Sequence, residues 1–277
     1  MHRIQLIAMD MDGTLLDDQQ RIPAENLRAL LAANAQGVHI AIASGRSASD
    51  VSYYASDAGL SACHVLALNG GCCLEAPHAA PYALHTLPPD VALAAADVLL
   101  RHQVTFACFQ AEHVLVITGR YGVDKRNWGT HIARKGANAY QYGVQAFTQS
   151  RGEGICKLVF IDQEGAPNVA SIRDELAPIA GLSVSASWSN NLELMPEGVN
   201  KGRALRELTA RLGLTPGQVM ALGDFDNDLD MIEYAGLGIA MGNASERVKR
   251  AAKAVTLTNR EWGVAAAIDR YVLHREG

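Results

Sequence analysis

The sequence predicts an α/β protein with a parallel-sheet core and an α+β domain inserted into its middle. Short apolar runs that end in polar turns alternate with helical patterns up to about Ala83, which is typical of consecutive βαβ units. The alternation stops near Leu84 and resumes at Asn200. With 277 residues, 49% of them hydrophobic and 19% charged, the chain suits one large or two modest globular domains, not a disordered or fibrous protein.

Three buried strands are predicted in the N-terminal part of the core, and each stops at a polar turn: Ile4–Met9 at Asp10, Val38–Ala43 at Ser44, and Val65–Leu68 at Asn69. Helical patterns fill the intervals, from Pro23 to about Gly37 and from Ser47 to about Ala58. Right-handed crossovers make such strands parallel, so their carboxyl ends meet at one edge of the sheet. In open α/β sheets this edge is where ligands bind.

The alternating pattern resumes in the C-terminal part. The predicted elements there are a helix over Gly202–Leu212, a strand over Val219–Leu222, a helix over Asp226–Ala235, a strand over Leu237–Ala240, and helices over Ala244–Ala252 and Arg260–Leu273. The strand over Val219–Leu222 stops at Gly223-Asp224. A further polar strand end is therefore expected at the same edge of the sheet.

The inserted domain is predicted to contain, in order, a helix over Pro89–Leu100, strands over Val104–Gln110 and Val114–Thr118, a strand over Leu158–Asp162, a helix over Val169–Ile179 and a strand over Leu182–Trp188. The first two strands have a short polar connection, which predicts an antiparallel hairpin. The insert also contains a polar-aromatic cluster, in which ordinary surface or small-core packing explains most residues individually and some should face a ligand site: Tyr121, Arg126, Trp128, Arg134, Tyr140 and Tyr142. The predicted division is 1–83 and 190–277 for the core and 84–189 for the insert.

Charge and cysteine content restrict the partners and the compartment. Lys+Arg 24 against Asp+Glu 29 gives a net charge of -5, so there is no bulk electrostatic reason to bind nucleic acid or an anionic membrane. No apolar run approaches the roughly 20 residues of a membrane span. The five cysteines lack zinc-ligand spacing and are odd in number, which favours reduced thiols in the cytoplasm. We expect a small-molecule partner; the oligomeric state is not predicted.

The polar residues at the predicted sheet edge are those that a phosphoryl-transfer site needs. Two distant stretches supply carboxylates, at Asp10 and Asp12 and again within Asp224–Asp228. Clustered carboxylates repel one another unless a cation lies between them, and oxygen ligands without His or Cys favour Mg²⁺. Lys201, Ser44 and helix N-termini favour an anion such as phosphate. Together they predict Mg²⁺-assisted chemistry on a phosphate group.

The two carboxylates after the first strand are assigned different tasks. Ionised Asp10 is a competent nucleophile if Mg²⁺ and Lys201 screen the negative charge of the phosphate. Asp12 must begin protonated to act as general acid towards the leaving group. It then serves as general base for the water that hydrolyses an aspartyl-phosphate.

Four stretches that carry these residues resemble the four motifs of the haloacid dehalogenase (HAD) superfamily, in the same order: Asp10-Met11-Asp12-Gly13-Thr14-Leu15, Ala43-Ser44-Gly45-Arg46, Gly198-Val199-Asn200-Lys201-Gly202 and Gly223-Asp224-Phe225-Asp226-Asn227-Asp228. The stretch Ala240-Met241-Gly242-Asn243-Ala244 and the position of the insert resemble the Cof-type (subclass IIB) sugar phosphatases. The resemblance implies a Rossmann-like parallel-sheet core, the HAD fold, with an inserted α+β cap domain.

The resemblance also implies a role for each matching residue: Asp10 as nucleophile and metal ligand, Asp12 as acid/base with its backbone carbonyl on the metal, the Met11 and Gly45 amides, the Ser44 hydroxyl and Asn227 on phosphate, Lys201 between phosphate and Asp10, and Asp224 on Mg²⁺. Asp228 is expected at the metal site, either as a ligand or behind one. Arg46 and Asn69 lie at strand ends, where contact with the leaving group and turn or capping roles are both open.

Three functions remain open on these residues. The first is a Mg²⁺-dependent phosphatase that acts on small phosphomonoesters, such as sugar phosphates, related metabolites or cofactor phosphates. The second is a phosphomutase or phosphotransferase, which would pass the phosphoryl group to a second hydroxyl. The third is a phospho-accepting signalling domain, which needs neither a proton shuttle at Asp12 nor an insert. Release of inorganic phosphate distinguishes the first from the other two.

Overall fold

The strands of the protein are, in chain order, β1 (Leu6–Met9), β2 (His39–Ala43), β3 (Cys63–Ala67), β4 (Cys72–Leu74), β5 (Pro81–Leu84), β6 (Phe106–Phe109), β7 (Val114–Ile117), β8 (Tyr140–Tyr142), β9 (Lys157–Ile161), β10 (Leu182–Ser185), β11 (Asn191–Pro196), β12 (Val219–Gly223), β13 (Leu237–Ala240) and β14 (Ala254–Val255). The computed structural model describes residues 3–111, 113–119, 140–142, 144–161, 169–185 and 191–275.

The α-helices are α1 (Ala24–Ala35), α2 (Ala48–Asp57), α3 (Pro89–Arg101), α4 (Val144–Ser150), α5 (Val169–Leu176), α6 (Lys201–Arg211), α7 (Leu229–Tyr234), α8 (Glu246–Ala251) and α9 (Gly263–Ile268). The chain divides into two compact units: a core of Met1–Ala83 with Asn200–Gly277, and an insert of Leu84–Val199. Within the described residues, no helix has the length and apolar character that crossing a bilayer requires.

The core is built on an eight-stranded sheet with the strand order β14-β13-β12-β1-β2-β3-β4-β5. Neighbouring strands from β14 to β3 are parallel, and Met9 at the end of β1 lies opposite Ile42 of β2 and Leu222 of β12. All four residues of β1 are buried, as expected for a strand covered on both faces. The predicted α/β fold is therefore confirmed, with the carboxyl ends of β12, β1, β2 and β3 along one edge.

The core differs from the sequence-based prediction at a short strand and at the starts of two helices. Beyond β3, the sheet continues with antiparallel β4, whose Leu74 lies opposite Val65; its three-residue run is too short to stand out in the sequence. The final helix is not continuous over Arg260–Leu273, because Trp262 takes a left-handed conformation with φ 59° before α9 begins. Likewise, a 3₁₀ turn over Asp226–Asp228 precedes α7.

The insert has a six-stranded sheet of its own, with the order β10-β11-β9-β6-β7-β8. Its central pairs are antiparallel, including the predicted hairpin of β6 and β7, in which Phe106 lies opposite Ile117. Phe106 and Phe160 are fully buried in one apolar cluster with residues of α3 and α5. The insert therefore has a hydrophobic core separate from that of the parallel sheet.

The core resumes at Asn200, whereas the sequence pattern predicts that it resumes at residue 190. Strand β11 pairs antiparallel with both β9 and β10, so it belongs to the sheet of the insert. Leu192 and Leu194 point into the insert's apolar cluster, while the alternate residue Glu193 is buried against Lys157. A charged residue inside a short run does not indicate a buried strand, so β11 is hard to recognise in the sequence. The partner that makes burial of Glu193 possible here, Lys157, is 36 positions away.

Candidate active site

Asp10 follows β1 directly, and hydrogen bonds from Lys201 connect it to Asp228 in the turn after β12. Lys201 is the first residue of α6 and is fully buried. Its Nζ donates to Oδ1 of Asp10 at 2.6 Å and to Oδ1 of Asp228 at 2.7 Å. Burial alone would lower the pKa of the Lys201 ammonium, but the charges of the two carboxylates raise it above its ordinary value. Lys201 is therefore held as a cation beside the expected nucleophile.

Asp224 follows β12, the strand next to β1, and contacts the turn after Asp10 at two points. The hydroxyl of Thr14 donates to Oδ1 of Asp224 at 2.6 Å. Gly13 has φ 80°, and a Cβ built on it would lie 2.3 Å from Oδ2 of Asp224. Any side chain at position 13 would therefore be strained in its backbone and would collide with this carboxylate. The glycine lets Asp224 come close to the loop that carries Asp10 and Asp12.

Asp228 is buried and holds the turn that begins with Asp224. Its Oδ2 accepts hydrogen bonds from the backbone N–H groups of Asp224 at 2.9 Å and Phe225 at 3.1 Å. Its other oxygen accepts from Lys201. Both oxygens of Asp228 thus have partners in the chain, so the side chain orients Lys201 and the Asp224 turn.

The three carboxylates of Asp10, Asp224 and Asp228 can each place an oxygen within 4.8 Å of the others, which is a fit for a metal ion. Burial, assisted by the neighbouring carboxylates, raises the pKa of Asp10 well above its ordinary value despite the opposing charge of Lys201. Burial likewise raises the pKa of Asp224 to about 7. When all three carboxylates are ionised, the single ammonium of Lys201 leaves this buried cluster with excess negative charge. An oxygen-only donor set with excess negative charge matches the preferences of Mg²⁺.

Asp12 has a different environment, dominated by Arg46. The Arg46 guanidinium donates from Nε to Oδ2 of Asp12 at 2.8 Å and contacts the other carboxylate oxygen and Gln20 through Nη2. It also lies over the ring of Tyr54, 5.1 Å from its centroid. Burial would raise the pKa of Asp12, but the hydrogen bonds and charge of Arg46 outweigh it and hold the pKa below its ordinary value.

The pairing with Arg46 does not fit the protonated state that a general acid at Asp12 needs. A general acid must begin protonated, whereas a bidentate guanidinium stabilises the ionised carboxylate. Asp12 can therefore donate a proton only after Arg46 has moved away from it. For Arg46, contact with the leaving group and a turn or capping role were both open; here its guanidinium is bound to Asp12, the expected acid/base residue.

The remaining predicted residues lie along the same edge of the sheet. Ser44 is buried after β2, and its hydroxyl accepts from the backbone N–H of Arg46 at 3.2 Å. Asn69 follows β3 in a left-handed conformation with φ 53°, and its backbone N–H donates to the Ser44 carbonyl at 2.9 Å. Met11 and Gly45 follow Asp10 and Ser44 directly, and Asn227 lies in the turn over Asp226–Asp228.

The residues of the insert that were predicted to face a ligand lie largely outside the described residues. This applies to Tyr121, Arg126, Trp128 and Arg134, while for Tyr140 and Tyr142 the structure describes the backbone of β8 only.

Thr14, Asn243 and Gln20 contact residues of the site, but the sequence predicted no role for them. Thr14 stands in the first motif, and its hydroxyl next to two aspartates was a usable signal. Asn243, which donates to the Gly13 carbonyl at 2.8 Å, was noted only as part of a family-like stretch. No local signal points to Gln20.

Comparisons with known proteins agree with this geometry. The model of the haloacid dehalogenase-like hydrolase family matches residues 7–268. The chain is 32% identical over 272 residues to 5-amino-6-(5-phospho-D-ribitylamino)uracil phosphatase YcsE of Bacillus subtilis strain 168, covering 98% of this chain and 96% of that protein. The crystal structure of a haloacid dehalogenase-like hydrolase from Bacteroides thetaiotaomicron has a TM-score of 0.84 and 28% identity, covering 97% of this chain and 99% of that one.

A sugar phosphatase of haloacid dehalogenase subclass IIB shares the fold, with a TM-score of 0.81 at 22% identity over 96% of this chain and 98% of its own. The family match runs from β1 to the end of α9. The matched range contains Asp10, Lys201 and Asp224 together with the residues that they contact. The chain therefore belongs to the haloacid dehalogenase-like hydrolases.

Proposed function

We propose that this hydrolase is a Mg²⁺-dependent phosphatase that cleaves small phosphomonoesters through an aspartyl-phosphate on Asp10. The observation that carries the proposal is the buried Lys201 ammonium, which contacts both Asp10 and Asp228 beside the carboxylate of Asp224. A nucleophilic carboxylate can attack an anionic phosphate only where positive charge screens the approach. This arrangement provides that charge at the nucleophile.

The roles of the chain's own groups follow from their positions. Lys201 holds Oδ1 of Asp10, which orients the carboxylate for attack on phosphorus. The Ser44 hydroxyl, the Met11 and Gly45 amides and the Asn227 side chain would hold the phosphate oxygens. Asp10, Asp224 and the backbone carbonyl of Asp12 would hold Mg²⁺, with Asp228 at the same site. Mg²⁺ bound there would neutralise charge on the transferring phosphoryl group.

Proton transfer at Asp12 requires a change in its present contacts. The Arg46 guanidinium has to release Asp12 before the carboxyl group is able to protonate the leaving oxygen. A polar leaving group gives the guanidinium an alternative partner close by, so substrate binding would favour the release. In the second step, Asp12 would take a proton from the water that attacks the aspartyl-phosphate.

The proposed substrates are sugar phosphates, related metabolites or cofactor phosphates. The named substrate of the relative YcsE is a phosphorylated ribitylaminouracil, which supports a polyol or sugar phosphate attached to a larger group. We place the reaction in the cytoplasm, because all five cysteines are buried and none forms a disulfide in the described structure.

The test is a phosphate-release screen with the purified full chain, with Mg²⁺ and after exhaustive chelation. The panel comprises sugar phosphates, nucleotides, flavin mononucleotide, pyridoxal phosphate, the YcsE substrate and p-nitrophenyl phosphate. We expect Mg²⁺-dependent phosphate release that Asp10→Asn abolishes and the exposed-site control Asp18→Asn retains. Transfer to a second hydroxyl without phosphate release would indicate the phosphomutase or phosphotransferase. A stable phosphoprotein without turnover would indicate the signalling function.

A further inference from the structure

The loop that carries the nucleophile is held from outside the site by three asparagine side chains. We call Asp10–Leu16 the nucleophile loop. Three of its backbone carbonyls accept hydrogen bonds from side-chain amides that come from separate parts of the core: Gly13 from Asn243 at 2.8 Å, Leu15 from Asn26 at 3.2 Å and Leu16 from Asn259 at 3.0 Å. The loop therefore depends on distant segments for its conformation.

These amides are themselves fixed by backbone groups. The backbone N–H of Asn259 donates to Oδ1 of Asn243 at 3.0 Å, and that of Ala265 donates to Oδ1 of Asn26 at 3.0 Å. The amides of Asn243 and Asn26 thus donate to the loop and accept from the C-terminal segment, while that of Asn259 donates to the loop. A carboxylate lacks the donor for this bridge, and an alanine lacks both groups.

Asn243 binds the loop at Gly13, which lies against the expected metal ligand Asp224. The carbonyl that it binds belongs to the peptide unit between Gly13 and Thr14. On its other side, Gly13 lies against Asp224, and the Thr14 hydroxyl donates to that same carboxylate. Moving this peptide would shift Thr14 and the preceding Asp12 together.

We propose that Asn243 is a positioning residue of the active site: through its bridge to Asn259 it fixes the Gly13–Thr14 peptide and thereby the arrangement of Asp12 and Asp224. Asn243 is exposed and touches the loop backbone, so it acts through the loop. The consequence for catalysis rests on the proposed phosphatase function. The consequence for loop order and Mg²⁺ binding does not.

The test compares Asn243→Ala and Asn243→Asp with the unmodified chain. Asn34→Ala is the matched control, because Asn34 also donates from its side chain to a backbone carbonyl, that of Val38 at 3.2 Å. Hydrogen–deuterium exchange of the nucleophile loop, calorimetric titration with Mg²⁺, and steady-state kinetics are measured on all four proteins. The aspartate variant keeps an acceptor for Asn259 but loses the donor to Gly13.

Both Asn243 variants should exchange faster in the nucleophile loop while β12 and β2 keep their protection. Mg²⁺ binding should weaken and kcat should fall, each by about threefold to tenfold, as expected for one lost hydrogen bond. KM should stay within about twofold, because Asn243 acts through the loop backbone. Asn34→Ala should leave all three measurements at the unmodified values.

Unchanged loop exchange in both variants would overturn the proposal, as would faster exchange spread evenly over the core. A loosened loop with unaltered Mg²⁺ binding and kcat would show that the contact is structural only. If the unmodified protein releases no phosphate from any substrate, the phosphatase proposal fails. The exchange and Mg²⁺ titration still decide the role of Asn243 in that case.

Discussion

Asp10 and Asp12 are two positions apart, yet their carboxylates have opposite electrostatic surroundings. Asp10 is buried among other carboxylates with Lys201 as its cation, whereas Asp12 is paired with Arg46. Asp10→Asn should abolish turnover, because it removes the proposed nucleophile. Asp12→Asn should lower kcat about 10² to 10⁴-fold through lost proton transfer, and least for p-nitrophenyl phosphate, whose leaving group needs no proton. Single-substrate kinetics check both; near-normal activity of a clean Asp10→Asn preparation would contradict the covalent route.

The raised pKa of Asp224 predicts a coupling between protons and Mg²⁺. The pKa of Asp224 is about 7 in the folded protein, against an ordinary value of 3.8, so Asp224 binds more protons when folded than when unfolded. The metal-free protein should therefore lose stability as pH rises from about 4 to 7, and the raised pKa of Asp10 acts in the same direction. Bound Mg²⁺ would displace the proton, so its affinity should weaken below about pH 7.

Isothermal titration with Mg²⁺ at pH 6.5, in two buffers that differ in ionisation enthalpy, measures the number of protons released. We expect a buffer-dependent heat that diminishes in Asp224→Asn. The exposed-site variant Asp18→Asn should behave as the unmodified protein. Identical heats in both buffers would show that Mg²⁺ binding and these carboxyl protons are independent.

At the scale of single elements, burial on both faces decides what the sequence reveals. The central strands were located within about two residues, and Leu237–Ala240 at its observed bounds, because a strand buried on both sides shows an uninterrupted apolar run. Strand β11 was missed because Asn191 and Glu193 interrupt its apolar residues. Glu193 is buried in contact with Lys157 on a neighbouring strand, and no local pattern contains that contact.

Local sequence patterns also explain which residues of the site could be predicted and which contacts could not. Asp10, Lys201 and Asp224 were predicted to share a site because each stands at a strand end or a helix start, and the ammonium of Lys201 is unfavourable at a helix N-terminus. The carboxylates from Asp224 to Asp228 exceed what helix capping needs. The pairing of Arg46 with Asp12 and the bridge from Asn243 to Gly13 span 34 and 230 positions. Such contacts depend on the packing of distant segments, which single-sequence patterns do not encode.

The buried ion pair between β9 and β11 gives a prediction for the insert. Lys157 Nζ lies 2.7 Å from Oε1 of Glu193, and the two side chains are 3% and 5% exposed. Lys157→Met alone leaves a buried carboxylate without this cation and should destabilise the insert by about 3–5 kcal/mol. The double variant Lys157→Met/Glu193→Leu should recover most of that loss, because both charges are removed together. Denaturant unfolding measures both; a double variant no more stable than the single one would contradict this account.

At the scale of the whole molecule, the two units have separate sheets and separate apolar clusters. Asp10, Lys201, Asp224 and Asp228 all belong to the core. The described hydrogen bonds of the Asp10 and Lys201 side chains are made to core residues. We therefore expect selectivity for the leaving group and the basic phosphate chemistry to respond to different substitutions.

This separation predicts the outcome of a substrate panel run on single variants of the insert. The polar-aromatic residues Trp128 and Arg126 offer stacking and hydrogen bonding to a leaving group, so their replacement by Ala should change the ranking of substrates. Hydrolysis of p-nitrophenyl phosphate should remain nearly intact, because this substrate needs little beyond the core. Asp97→Ala is the control, since that side chain is 69% exposed on α3. An unchanged ranking with activity retained would instead place selectivity in the core loops around Arg46 and Asn69.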